Sequence, residues 1–336
     1  MTRYLITGAQ GFAGRYLVAD LLAHEPDAQI VGVGRSRPRP AFTHDVTWRS
    51  EKLRAPLAIG LDSPPADRFR YVECDLTDAP AVTALLERET PDVVIHLAAA
   101  LRDDPAPRLL GSNVLATMTV FGALAKCEPK PHVIYGSSGA VYGPIDAVPV
   151  RETARCAPAD PYSKSKHAGE YVARIIADEN GLPVLFARIF NIAGPGQDER
   201  HVCARFAAQV AAMDGSGPHV LRVGDLRPTR DFVDVRDVAQ ALRVLAHAGA
   251  PGEIYNVASG RETTIEAVLR ETLRIAGLGE SVEIVADYVR NTDVSRQYAD
   301  ISKLRALGYE PAFALEATLR DLLEYYTLTV AAAASV

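Results

Sequence analysis

Long hydrophobic runs, an excess of positive charge and paired cysteines are what this chain of 336 residues lacks. No apolar stretch approaches the roughly 18 to 20 residues of a membrane-spanning helix, and the apolar tail Thr327–Val336 is too short. Net charge is −6, so no overall field favours nucleic acid or an anionic membrane surface, and an anionic ligand has to be held by locally placed arginines. Cys74, Cys127, Cys156 and Cys203 are scattered, with no C-x-x-C pair and no histidine at ligand spacing. That pattern gives no sign of a disulfide framework or a metal site. The first strand begins by residue 4, leaving no room for a secretion signal, and a cytoplasmic protein is the expectation. Internal repeats are missing too, and the only biased segment is the alanine-rich tail.

An apolar content of 48% with 23% charged residues is ordinary for a globular enzyme, and the length suits a large α/β domain with a smaller lobe. Short apolar runs at Ile30–Val33, Tyr71–Cys74, Val93–Leu97 and His132–Tyr135 alternate with helical stretches at Gly14–His24, Ala79–Arg88 and Asn113–Lys126. Near-continuous apolar strands alternating with helices predict a doubly wound parallel sheet. A helix is predicted from Pro161 to Asn180, with proline in its first turn and Gly181 just past its end. The strand Leu182–Arg188 follows, then a glycine- and proline-rich stretch. The chain returns to the sheet at Glu253–Val257 and leaves for helices at Thr264–Ala276 and Leu315–Tyr326. Residues 1–190 with about 229–258 are thus expected to form the nucleotide domain, and 191–228 with 259–330 an interdigitated substrate lobe. Residues 36–68, rich in proline and without period, read as a surface insertion, either a tolerated loop or a lid.

At the start of the chain, strand Tyr4–Thr7 runs into Gly8-Ala9-Gln10-Gly11-Phe12-Ala13-Gly14 and then into a helical pattern. Glycines three apart at such a turn let backbone N–H groups approach a pyrophosphate at the positive end of a helix. The spacing is G-x-x-G-x-x-G rather than G-x-G-x-x-G, and glycines so placed also serve a tight turn that needs them only for φ or for packing.

Tyr162 and Lys166 stand one helical turn apart on the same face. A phenol with a pKa near 10 is a poor proton donor or acceptor at neutral pH, and a neighbouring cation favours its ionised form. Tyrosine and lysine at this spacing also occur as plain surface packing. Here the pair follows both the glycine turn and a strand ending in Gly136-Ser137-Ser138, an order that can gather a hydroxyl, a phenol and an ammonium around one cofactor.

With these residues in view the sequence resembles the extended short-chain dehydrogenase/reductases that act on nucleotide sugars, the NAD-dependent epimerase/dehydratase family, over nearly its whole length. The resemblance rests on Thr7–Gly14, Asp75-Leu76, His96-Leu97-Ala98-Ala99, Ser137–Gly143, Tyr162 with Lys166, Arg188-Ile189-Phe190-Asn191 and Arg230–Val235. It implies a Rossmann-type sheet. Gly8, Gln10, Gly11, Phe12, Ala13, Gly14, Asp75, Leu76, Leu97, Ala98, Ala99 and Ile189 would line the cofactor. Ser138 would polarise the substrate oxygen, Tyr162 would move the proton, and Lys166 would also hold the nicotinamide ribose. Asn113 would complete a proton path, and the family's habit implies a homodimer.

Dehydratases of the family carry an acid just after the catalytic hydroxyl, whereas this chain has Gly139-Ala140, which disfavours dehydration. After the second strand the sequence is Gly34-Arg35-Ser36-Arg37, with no acid to hold ribose hydroxyls. Arg35 and Arg37 suit the 2′-phosphate of NADP(H) over NAD(H), although the same pair would serve as solvated loop charge. Gly194-Pro195-Gly196-Gln197 and Arg230-Asp231-Phe232 look most like the branch that reduces GDP-4-keto-6-deoxymannose and its dTDP-linked relatives. That likeness implies substrate contacts from Ser138 and Asn191, and a diphosphate clamp from Arg230 and Arg290. Arg290 opens Arg290-Asn291-Thr292-Asp293, where the family often has proline second, and His201 replaces an apolar aromatic near the sugar. The expectation is NADPH-dependent reduction of the C4 ketone of a nucleotide-linked 4-keto-6-deoxyhexose. A nucleotide-sugar epimerase with tightly bound NAD and a non-catalytic redox-sensing module are the rivals.

Overall fold

The strands that looked continuously apolar assemble as one sheet. In the computed structural model, which describes residues 1–39, 45–48, 51–54, 58, 61, 63–145, 147–213, 219–286 and 294–334, seven strands lie side by side. They are β1 (Arg3–Thr7), β2 (Gln29–Gly34), β3 (Phe69–Glu73), β4 (Val93–His96), β5 (His132–Ser138), β6 (Val184–Ile189) and β7 (Ile254–Val257). Their order is β7-β6-β5-β4-β1-β2-β3, and every neighbouring pair is parallel. This is the doubly wound parallel sheet expected from the alternation, in the Rossmann-type form the resemblance implied.

Both faces of the sheet are covered, which explains why its strands show no polar alternation. Tyr4 and Ile6 point into one core with Leu17, Leu21, Val238 and Leu242, while Leu5 between them points into the other with Val33, Leu85, Phe121 and Leu124. The first face carries α1 (Phe12–His24), and the second carries α2 (Ala79–Glu89) and the run from α3 (Ala106–Leu110) to α4 (Ala116–Leu124). Next in the chain, α5 (Pro161–Asn180) has the predicted ends: Asp160 caps it, Pro161 opens it, and Gly181 closes it at φ 62°. The order reverses between β1 and β4, which opens a crevice at their carboxyl ends. Ligands of such sheets bind there.

After β6 the chain leaves the sheet. Strand Asn191–Ala193 pairs with Phe232–Asp234, and Thr229–Arg230 pairs with Thr263–Thr264. Helix α6 (Val202–Ala211) lies between these pairs in sequence, and α7 (Val235–Ala248) leads back to β7 beside α1. Helices α8 (Ile265–Ile275), α9 (Ser302–Arg305) and α10 (Leu315–Ala334) follow. Tyr16 donates to the Pro195 carbonyl at 2.9 Å and Tyr326 to the Gln197 carbonyl at 2.6 Å, so α1 and α10 hold the Gly194–Gln197 turn.

Three local expectations change. The helix expected from Asn113 begins at Ala106 and passes through a π-helical turn, Gly111–Leu115, which buries Asn113. The last helix continues through the apolar tail to Ala334. Within 36–68, Asp45–Trp48 and Glu51–Arg54 form an antiparallel hairpin, and Ala58 and Leu61 are buried against the α1 face. The segment is therefore anchored rather than wholly superficial. Its strands are too short to announce themselves by period. No helix among the described residues is long and apolar enough to cross a membrane.

Candidate active site

The glycine turn sits at the carboxyl end of β1. Gly8 has φ +75°, its N–H donates to the Val33 carbonyl at 2.7 Å, and the Gly11 N–H donates to the Gly8 carbonyl at 2.8 Å. A Cβ on Gly14 would run into the Gly8 oxygen and stand 2.8 Å from Ala9 Cα. Such a contact would push α1 off the strand. Phe12, Ala13 and Gly14 open α1, whose N-cap Gly11 offers no side-chain acceptor and whose first turn holds no acid. Its leading N–H groups and positive dipole end are thus left for an external anion. Gln10 donates to the Arg37 carbonyl at 3.2 Å, while its Oε1 is buried without a hydrogen-bond partner. A cradle that only glycine allows, an uncapped helix start and an orphaned amide oxygen together fit a nicotinamide dinucleotide.

Around this cradle the expected lining residues occupy successive strand ends. Leu97 N–H donates to the Thr7 carbonyl at 3.2 Å and Ala98 N–H to Thr7 Oγ1 at 3.1 Å, while Ala99 is exposed beside them. Thr7 Oγ1 lies 2.9 Å from Nδ1 of His96, whose burial, with help from Lys166, pulls its pKa to about 3. His96 is therefore a neutral strut. Arg35 and Arg37 are exposed beyond β2; Asp75 and the buried Leu76 follow β3, and Ile189 ends β6. Bonds from the Thr77 backbone and hydroxyl hold the Asp75 carboxyl below its usual range, and Arg35 adds to this from nearby.

The second group forms where β5 meets α5. Ser138 closes β5 and accepts from the Ala140 N–H at 3.2 Å, and its hydroxyl draws down the pKa of the Tyr162 phenol in the first turn of α5. Lys166, one turn on and 4% exposed, donates to the Gly136 carbonyl at 2.6 Å and lies 5.2 Å from the Tyr135 ring centroid. Burial pulls the Lys166 ammonium down to about 8, with Glu170 opposing. Burial pushes the Tyr162 phenol above its ordinary value, with Ser138 and then Arg102 pulling it back. The lysine points down to β5, and the cation over the Tyr162 ring is Arg102, 5.2 Å from its centroid. Arg102 belongs to a loop far from Tyr162 in sequence, so no spacing rule could find it.

Asn113 reaches this site through its side-chain amide. Its Oδ1 accepts from the Ala100 N–H at 2.8 Å, and its Nδ2 donates to Ser165 Oγ at 2.8 Å, which donates to the Tyr162 carbonyl at 2.7 Å. The amide thus ties the loop after β4 to α5. Gly139, where an acid would sit in a dehydratase, faces Phe190: a Cβ there would lie 2.9 Å from the ring. Nothing larger than glycine fits without moving that ring.

Across the crevice, Asn191 is exposed and donates to the Asp231 carbonyl at 3.1 Å. Arg230 is half-buried, donates to the Thr229 carbonyl at 2.7 Å, and has no ion-pair partner among the described residues. Burial and then Arg102 draw its pKa below the usual range. Asp231 is fully buried and accepts from Ser259, Gly260 and Ala299, which fixes the strand that presents Arg230. His201 is the exposed N-cap of α6, and Arg290 lies outside the described residues.

With this geometry in hand, the model of the NAD dependent epimerase/dehydratase family matches residues 4–258. The chain is 34% identical over 336 residues to GDP-6-deoxy-D-mannose reductase of Pseudomonas aeruginosa, covering 96% of each. Among solved structures it is similar to RMD from Pseudomonas aeruginosa complexed with NADPH, with a TM-score of 0.77, 32% identity and coverage of 97% of this chain and 99% of the other. It is similar as well to UDP-glucose 4-epimerase of Thermus thermophilus complexed with NAD, with a TM-score of 0.77, 27% identity and coverage of 97% and 99%.

Proposed function

The chain belongs to the NAD dependent epimerase/dehydratase family, and on that premise we propose that it reduces the C4 ketone of a nucleotide-diphosphate 4-keto-6-deoxyhexose with NADPH. A GDP-linked substrate is favoured and a dTDP-linked one is the other choice. The observation that carries this reading is the meeting of Ser138, Tyr162 and Lys166 beside the glycine cradle, with Gly139 closed against Phe190 where a dehydratase would need an acid.

In this mechanism the hydroxyls of Ser138 and Tyr162 donate to the substrate ketone oxygen. The glycine turn would hold the dinucleotide by its pyrophosphate, and the bound cofactor would supply hydride chemistry at C4. As negative charge grows on the oxygen, the Tyr162 proton crosses to it and leaves a phenolate, which recovers a proton from solvent after the alcohol departs. Lys166 supplies positive charge below the phenol and a donor for the nicotinamide ribose. Asn191 and Arg230, with Arg290, hold the sugar diphosphate, while Arg35 and Arg37 receive the 2′-phosphate. The lobes would divide as 1–190 with about 229–258, and 191–228 with 259–330. Leu115 and Met118 on the helical run, and Tyr171 and Ile175 on the adjacent α5, are large exposed apolar side chains, and a second copy covering them makes a homodimer.

NADPH oxidation followed at the nicotinamide absorbance tests this, with GDP-4-keto-6-deoxymannose and a dTDP-4-keto-6-deoxyhexose compared at equal concentration. Consumption with one substrate, reduced about 10²- to 10⁴-fold in Tyr162→Phe, supports the reductase. Purified protein that already carries NAD and consumes no NADPH with either substrate replaces it with the epimerase reading, which the likeness to UDP-glucose 4-epimerase keeps in play.

A further inference from the structure

The loop that leaves β4 carries Arg102 to a place none of the motifs describes. Its guanidinium covers the face of the Tyr162 ring and pairs with the carboxylate of Asp160, the residue that caps α5 through the Ser163 N–H at 3.0 Å. The same guanidinium therefore grips the first turn of α5 and covers the phenol that turn presents. A cation above an aromatic face is held there by the ring quadrupole. Arg102 looks toward the opposite wall as well: Arg230 and His201 both feel its charge, and its neighbour Asp103 faces Arg200 and His201. It stands between the phenol and the cations of the substrate side.

We propose that Arg102 is a positioning residue for proton transfer at Tyr162, holding the ring in line with Ser138 by bridging its face to Asp160 and adding positive charge beside the phenol to that of Lys166 one turn on. The proposal rests on the reading of Tyr162 as the proton-transferring group. Asp160 and Arg102 act as a unit: the carboxylate anchors the guanidinium and partly offsets its charge. The groups facing the phenol are Ser138, Arg102 and Asp160, with Tyr135 behind them and Lys166 one turn on. Because Arg102 is about half exposed, its influence is partly screened by solvent.

The sign of the effect follows from charge. A cation beside a phenol favours phenolate, so losing it raises the pH at which Tyr162 ionises. The test uses protein labelled with ¹³C at the tyrosine ζ carbon, in which the Tyr162 resonance is identified by its loss in Tyr162→Phe. Arg102→Gln is expected to move the Tyr162 titration to higher pH, and Arg102→Lys to bring it part of the way back. In turnover, Arg102→Gln should lower kcat about ten- to a hundredfold with KM little changed, as loss of alignment does. An unmoved titration in Arg102→Gln overturns the proposal, and so does a rise in KM at constant kcat, which would make Arg102 a substrate clamp alone. If Arg102→Gln does not fold, wild type titrated at low and high salt reads the same contact: the step moves up with salt if Arg102 acts, and an unmoved step overturns the idea. The titration needs no substrate, so a wrong substrate class leaves it readable, whereas full activity in Tyr162→Phe defeats the functional reading itself.

Discussion

Arg35 and Arg37 are the residues on which cofactor choice turns. Both are exposed past the end of β2, where an acid would repel a phosphate, and the Asp75 carboxylate across the rim is already favoured by Arg35. An incoming 2′-phosphate, with more charge and better geometry for a guanidinium, would outcompete that carboxylate. Replacing both arginines by glutamine is expected to weaken NADPH about ten- to a hundredfold while leaving NADH binding little changed, as measured by nicotinamide fluorescence titration. Equal losses for both cofactors would assign these arginines a general role at the rim. Single residues of this kind were legible in the sequence when they stood in a motif, as Ser138, Tyr162 and Lys166 did. Arg102 was not legible, because its partner Tyr162 is a neighbour only through the docking of a loop on a helix.

At the scale of elements, two contacts decide whether the site is held. The first is the seat of α1 on β1. Gly14→Ala drives a methyl into the Gly8 oxygen, so a loss of dinucleotide binding in calorimetry and a lowered melting temperature are expected together. A variant that binds normally would show that the turn can relax. The second is the buried pair between α5 and β6. Arg188 Nη2 meets Glu170 Oε1 at 2.6 Å, and Ser137 donates to Glu170 Oε2 at 2.7 Å, next to Ser138. Burial pushes the Glu170 carboxyl up, but its bonds to Arg188 and Ser137 outweigh this and hold it below the ordinary glutamate range. A lowered folded-state pKa contributes stability above the unfolded value, near 4.3, that is lost as pH falls through the folded one. Arg188→Leu leaves Glu170 buried and unpaired. It should cost about 3–5 kcal/mol in urea unfolding at pH 7, with a smaller deficit at pH 4 where the carboxyl can protonate. Arg188→Leu with Glu170→Leu should recover much of the loss. No periodicity points to this pair; both residues sit in segments whose pattern says only helix and strand.

For the whole molecule, the apolar side chains left outside are as informative as those within. Met118 and Tyr171 lie on adjacent helices, and each is about half exposed or more, at 48% and 63%. Met118→Glu with Tyr171→Glu is expected to convert a dimer into monomers in sedimentation equilibrium without lowering the melting temperature of the monomer. Wild-type protein that sediments as a monomer would rule the dimer out. The sequence by itself determined the sheet, its strand-and-helix rhythm, both ends of α5 and the glycine turn, because each is written in periods and caps a few residues long. Tertiary structure alone decided that Lys166 bonds Gly136, that Arg102 stands over the Tyr162 ring, that a π turn buries Asn113, and that Ala58 and Leu61 anchor the 36–68 segment. These depend on how finished elements come to rest on one another, and contacts between distant residues leave no trace in local pattern.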